Sequence, residues 1–178
     1  MSKAVIARNY AEALFELGEA QGESVRYGDL LGGLAGAVAA TPNAQGVLMS
    51  PRVSKAAKAR LLANTLPDAP KPFVLFLQAL VKRNRQGMLH EIAESYAGLV
   101  DGKLNRVRVG VTLAHQPDAL LQKKIAAALS ESLGKEALVG FSADPAVLGG
   151  AVVRIGDRVH DGSIRRKLIM LRRQLLNR

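Results

Sequence analysis

The spacing of apolar residues changes once along this chain, near residue 105, and that change limits the fold more than any other feature. Up to Leu104 apolar side chains recur every three or four residues, the period of helices with one buried face. From Val107 to Leu113 they alternate instead: Val107, Val109, Val111 and Leu113 are separated by Arg108, Gly110 and Thr112. That is the two-residue period of a half-buried strand. One segment cannot satisfy both periods, so the sequence predicts two units, an all-helical one over 1–104 and a mixed one over 105–178. The expected fold class is mainly α with a small α+β part.

Punctuation in the first unit predicts a bundle of six short helices. The opening helix carries the stripe Ile6, Tyr10, Leu14 and Leu17, and Gly18 and Gly22 mark its end. Ser24 is a candidate cap for a second helix, with Tyr27, Leu30 or Leu31, Leu34 and Val38 inward. Thr41-Pro42 restarts the chain into a short third helix with Val47 and Leu48 inward. Ser54 caps a fourth that carries Ala57, Leu61 and Leu62 inward. Pro67, Pro70 and Pro72 break the pattern before a fifth with Phe73, Phe76, Leu77 and Leu80 inward. A break at Arg85-Gln86-Gly87 leads to a sixth, with Met88, Ile92, Tyr96 and Leu99 inward.

The second unit predicts a small sheet with two helices. After the 107–113 strand, Pro117-Asp118 opens a helix that Gly134 closes. Strands are expected over 137–141 and 148–155, and Gly156-Asp157 turns the chain back into a short strand over 158–160. Asp161-Gly162-Ser163 then caps a last helix, whose Ile164, Leu168, Leu171 and Leu175 share one face. That stripe is expected to pack inside its own unit.

Catalytic chemistry finds no foothold. With no cysteine, disulfides and thiolate metal sites are excluded. His90, His115 and His160 lack partners at ligand spacing, so no metal is expected. No serine sits in a Gly-x-Ser-x-Gly turn. Gly134-Lys135 is followed by Glu136 rather than Ser or Thr, so it cannot cradle phosphate as a nucleotide loop does. Gly149-Gly150 precedes a strand, the reverse of a dinucleotide turn. Paired carboxylates such as Glu12 with Glu16 suit a solvated helix face. No apolar run is long enough for a signal peptide or a membrane span. No cofactor is expected.

Charge is the remaining clue. The chain has a net charge of +10. Residues 1–104 hold 12 basic and 9 acidic side chains, whereas 105–178 hold 13 and 6. Much of this excess lies in the last helix, at Arg165, Arg166, Lys167, Arg172, Arg173 and Arg178. Nucleic acid, an anionic membrane and an acidic protein all suit such charge. Single-strand binders also need aromatic platforms, and the second unit has only Phe141. A basic nucleic-acid-binding adaptor acting through 105–178 is the alternative reading. A solvated basic face meeting an acidic protein is preferred.

Two segments carry a family resemblance. Ala7-Arg8-Asn9-Tyr10-Ala11-Glu12-Ala13-Leu14-Phe15 resembles the opening helix of F-type ATP synthase delta subunits and of the mitochondrial oligomycin-sensitivity-conferring protein. Leu148-Gly149-Gly150-Ala151-Val152-Val153-Arg154-Ile155-Gly156-Asp157, followed by Val159-His160-Asp161-Gly162-Ser163-Ile164, is similar to that family's signature. His160 stands where an aromatic or aliphatic residue is more usual. Within the signature, Gly149, Gly150 and Gly156 suit unusual dihedrals or close backbone approach, and Asp161 and Ser163 suit free amides at a helix start. The motif is therefore read mainly as a folding device.

The resemblance implies a non-catalytic stator subunit, one copy per complex, that binds no nucleotide and passes no proton. It implies that the helical unit grips the amino-terminal helix of an alpha subunit between its first and fifth helices. By position that groove takes in Tyr10, Ala13, Leu17, Leu75, Ala79 and Lys82. Tyr10 and Ala13 suit bundle packing equally well, and Leu17 and Leu75 suit it better. The second unit is implied to meet the carboxy-terminal helices of the b subunits. The expected location is the cytoplasmic face of a bacterial membrane, reached only through the complex.

Overall fold

The computed structural model describes residues 2–176. Their contacts divide them into two compact units, one running to Val100 and the other beginning at Asp101. The described residues are mainly helical, with a single four-stranded sheet in the carboxy-terminal part.

The first unit contains α1 (Lys3–Ala20), α2 (Ser24–Ala40), α3 (Pro42–Met49), α4 (Lys55–Thr65), α5 (Lys71–Lys82) and most of α6 (Leu89–Lys103). Ser2 and Ser54 cap α1 and α4 by accepting from the N–H groups of Val5 and Ala57. The core is aliphatic around a few rings: Leu14, Leu31, Leu77 and Ile92 are buried with Tyr27, Phe73 and Tyr96. Tyr27 meets Phe73 at a tilt of 51° with ring centroids 5.4 Å apart, and Phe15 meets Tyr96 edge-on at 5.9 Å.

Close packing at one crossing explains two residues that the sequence misplaces. Ser24 does not occupy the N-cap position of α2, which is Glu23. It is the first residue of that helix, buried, and its carbonyl accepts the Tyr96 hydroxyl at 2.8 Å. Burial pushes the Tyr96 phenol up from its ordinary value, so it stays a neutral donor. Gly18 does not end α1 but lies inside it, where a Cβ would sit 2.9 Å from the Ser24 Cα. Glycine is needed there for the two backbones to approach. Elsewhere, Val47, Ala57 and Leu61 were expected inward and are exposed, while Leu48 is buried from α3 and Lys58 and Leu62 from α4. A three- or four-residue spacing names a stripe, but short helices bury only its centre.

The second unit opens with β1 (Arg106–Leu113), α7 (Ala119–Leu133) and β2 (Glu136–Ala143), then continues through β3 (Ala151–Ile155) and β4 (Arg158–Asp161) to α8 (Ile164–Leu176). Strand order is β2-β1-β3-β4. β1 and β2 run parallel through the α7 crossover, and the other pairs are antiparallel. Asp118 caps α7 by accepting from the Leu121 N–H at 2.7 Å. Ile125, Leu129 and Leu133 of α7 cover Val109, Val111 and Ala137 on one sheet face. On the opposite face Arg108, Leu138 and Arg154 stand around Gly110 and Gly140, which pair in register. The third strand starts at Ala151, not at 148, because Leu148 and Gly150, which follow the 3-10 turn at 145–147, sit at φ 62° and 75°, outside the extended region.

The largest departure concerns α8. Most of its apolar stripe does not pack inside the unit: Ile164 lies against Gly149 at the start of the helix, but Leu168, Leu171 and Leu175 are 53, 52 and 67% exposed. Of the basic residues noted on this helix, Arg178 lies outside the described residues.

Candidate partner-binding surfaces

The first surface lies where α1 meets α5. Ala7, Ala11 and Leu14 turn one face of α1 into the core. On the adjoining flank Tyr10 is half-buried and meets Phe76 of α5 edge-on, with ring centroids 6.3 Å apart. Ala13 lies one turn further on and is exposed. A cavity of about 360 Å³ opens beside them, lined by Ile6, Asn9, Tyr10, Ala13, Arg83 and Arg85. Residues of α1 thus line it on one side, and two arginines from the turn after α5 complete the lining.

The way α5 stops places those arginines. Its last carbonyls are all occupied: Ala79 O accepts from the Arg83 N–H, Val81 O from Asn84 and Leu80 O from Arg85, at 2.8–3.2 Å. Asn84 makes this possible by adopting a left-handed conformation, φ 55°. Lys82 O accepts from Lys55 Nζ at 2.8 Å. Arg83 then reaches across and donates from Nη1 to the Tyr10 hydroxyl at 3.3 Å.

Of the six residues assigned to this groove by resemblance, Tyr10 and Ala13 line the cavity. Leu17 is half-buried on α1. Leu75, Ala79 and Lys82 form an exposed row along α5 at four- and three-residue spacing. Leu75 is 63% exposed and so is not the core residue its type suggests. Neither Arg83 nor Arg85 was assigned to the groove, Arg85 having been read only as part of a helix break. Nothing local marks them, because the cavity exists only through the packing of α1 on α5.

The second surface is α8, held by the glycine and Asp-x-Ser segment. Gly149 O accepts from the Ile164 N–H and Ala151 O from the Gly162 N–H, both at 2.9 Å. Gly150 sits at φ +75°, and a Cβ there would lie 2.6 Å from Gly162 O. Asp161 accepts from the Ser163 N–H at 2.9 Å, and Ser163 Oγ accepts from the Arg166 N–H at 3.1 Å. Gly156 occupies the β3–β4 turn at φ 56°. Together these bonds fix the start of α8 onto the end of the sheet.

The hydrogen bonds from Ser163 hold the Asp161 carboxyl below its usual range, with Arg166 and Arg165 adding to the effect. A depressed folded-state value stabilises the unit above the ordinary carboxylate pKa, and that stability is lost as pH falls through the folded value. Ser163→Ala is therefore expected to raise the Asp161 pKa, read by NMR titration. Losing the buried cap should also lower the stability of this unit by about 1–2 kcal/mol.

Comparison with known proteins decides the family. The model of the family "ATP synthase delta (OSCP) subunit" matches residues 6–175. The chain belongs to the ATP synthase delta (OSCP) subunit family. An ATP synthase subunit delta from Gemmatimonas aurantiaca is 42% identical, the match covering 96% of this chain and 92% of that one. The subunit delta of Anaeromyxobacter sp. (strain K) is 38% identical, with 96% of both chains covered. A chain in the cryo-EM structure of the Toxoplasma gondii mitochondrial ATP synthase hexamer shares the fold, with a TM-score of 0.71 at 24% identity over 96% of this chain and 97% of that one. This delta-family chain is thus a non-catalytic, peripheral-stalk component of F-type ATP synthase. The nucleic-acid alternative gains no support. Among the described residues no helix is long and apolar enough to cross a membrane.

Proposed function

We propose that the helices of residues 3–103 act as one six-helix bundle that holds the amino-terminal helix of an ATP synthase alpha subunit in the α1–α5 groove. The observation that carries this reading is the open cavity beside exposed Ala13, on the outer flank of a helix whose inner face is fully packed. A cavity floored by alanine and a tyrosine ring suits an incoming amphipathic helix. The exposed row Leu75, Ala79 and Lys82 extends the apolar surface along α5.

The second unit takes the carboxy-terminal helices of the b subunits through α8. On a helical projection Ile164, Leu168, Leu171 and Leu175 form a narrow stripe, with Lys167 on one side and Arg165 and Arg172 on the other. An apolar stripe between basic edges suits an acidic amphipathic helix. The two grips make the chain a strut between catalytic head and stalk, attached at the cytoplasmic membrane face only through the complex. A strut that resists torque needs slow dissociation; nanomolar attachment corresponds to about 12 kcal/mol.

The test is a calorimetric titration of the full chain with a synthetic peptide of the first 20 or so residues of the same organism's alpha subunit, a length of several helical turns. One-to-one binding supports the reading. No binding by a folded protein removes the groove.

A further inference from the structure

We infer that Arg83 and Arg85 form a carboxylate-binding end to the α1–α5 groove, so that the docked helix is set in direction and register by one of its own acidic side chains. The inference rests on the groove reading above and adds the chemistry of its occupant.

The cavity is otherwise apolar or neutral, formed by Ile6, Asn9, Tyr10 and Ala13. Placing two cations at one end of such a cavity concentrates positive potential where a ligand is to sit. Both guanidinium groups have donors to spare. Arg83 gives one bond to the Tyr10 hydroxyl, and Arg85 gives one weak contact to the Met88 sulfur at 3.8 Å. Among the described residues neither arginine has a carboxylate within ion-pair distance, whereas Arg8, Arg26, Arg106 and Arg108 each do.

The end of α5 does not account for this placement. Cations are drawn to helix carboxy termini, but the terminal carbonyls are taken by backbone N–H groups and by Lys55 Nζ. The arginine side chains are left to face the cavity. The Tyr10 bond steers Arg83 toward α1, where an incoming helix would lie. An arginine fork matches the two oxygens of a carboxylate, and a helix covering the cavity would exclude water and strengthen the pair. The occupant is therefore an amphipathic helix with an aspartate or glutamate on its buried flank, placed to meet this end.

The experiment uses the full chain and the alpha-subunit peptide. Arg83→Gln/Arg85→Gln is titrated beside the natural protein, with the peptide as made and with its acidic residues changed to amides. Thermal unfolding of each variant checks folding. The double substitution is expected to weaken the unmodified peptide about 10- to 100-fold. Amidation should weaken binding to the natural protein by a similar factor and leave the double variant's affinity unchanged. Arg85→Gln alone keeps the Arg83–Tyr10 bond and should lose part of the affinity, which separates charge from damage to the Tyr10 contact. Peptide binding that survives both arginine substitutions, or is indifferent to amidation, overturns the inference while the groove stands. Failure of the unmodified peptide to bind the natural protein removes the groove and the inference together. Inorganic phosphate at millimolar concentration should not displace the peptide; displacement would mark a general anion site and overturn selection by a helix-borne acid.

Discussion

Ala13→Glu is expected to weaken attachment of the catalytic head about 100-fold, a loss of about 3 kcal/mol, while the helical unit stays folded. Position 13 is exposed on α1, and glutamate is a good helix former, so the substitution costs the helical unit little. Its carboxylate would enter the cavity that Ala13 lines and meet Arg83 and Arg85 there. The new side chain fills space needed by an incoming helix and neutralises the groove's charged end at once. Calorimetry with the alpha-subunit peptide reads the loss, and circular dichroism reads the fold. A folded Ala13→Glu protein that binds the head normally would remove Ala13 from the groove.

Gly150→Ala is expected to have the largest effect on the second unit. The backbone there is at φ +75°, which costs a non-glycine residue about 1–2 kcal/mol. The added Cβ would also lie 2.6 Å from Gly162 O, a backbone atom that cannot swing aside. Relief requires a backbone shift, costing roughly another 1–3 kcal/mol. Because Gly162 and Ile164 are bonded to Ala151 and Gly149, the shift would be passed to the start of α8. The thermal transition of this unit should fall by roughly 10–20 °C, that of the helical unit should hold, and binding of a b-subunit carboxy-terminal peptide should be lost. An unchanged second transition would show that the segment tolerates the side chain.

Much of this was legible in sequence because it is local. The change of period at residue 105 separates helical from strand-forming chain, and the parallel crossover pair still places its apolar residues on alternate positions. Gly134 and Asp118 announce their helix ends by chemistry that acts over three or four residues. What was not legible depends on contacts distant along the chain. The strand order puts β1 between β2 and β3, which no pattern within a strand states. Ser24 looks like a cap until Tyr96, 72 residues away, is seen to bond its carbonyl. The cavity beside Ala13 needs α1, α5 and the turn after α5, so neither arginine stands out in sequence.

The stripe on α8 was read correctly as a stripe and wrongly as a packed one. Periodicity reports that a helix has an apolar side, and does not say whether the chain itself supplies what covers it. An uncovered last helix ties the condition of this protein to its assembly. Unassembled copies display a leucine row beside several arginines, a combination that trypsin-like proteases and chaperones recognise. Limited trypsin digestion of the free chain should cut first within 165–173, and added stalk peptide should suppress those cuts. In a cell the same exposure would let surplus copies be cleared while assembled ones persist, so the helix proposed to meet the stalk would also keep subunit numbers matched to it.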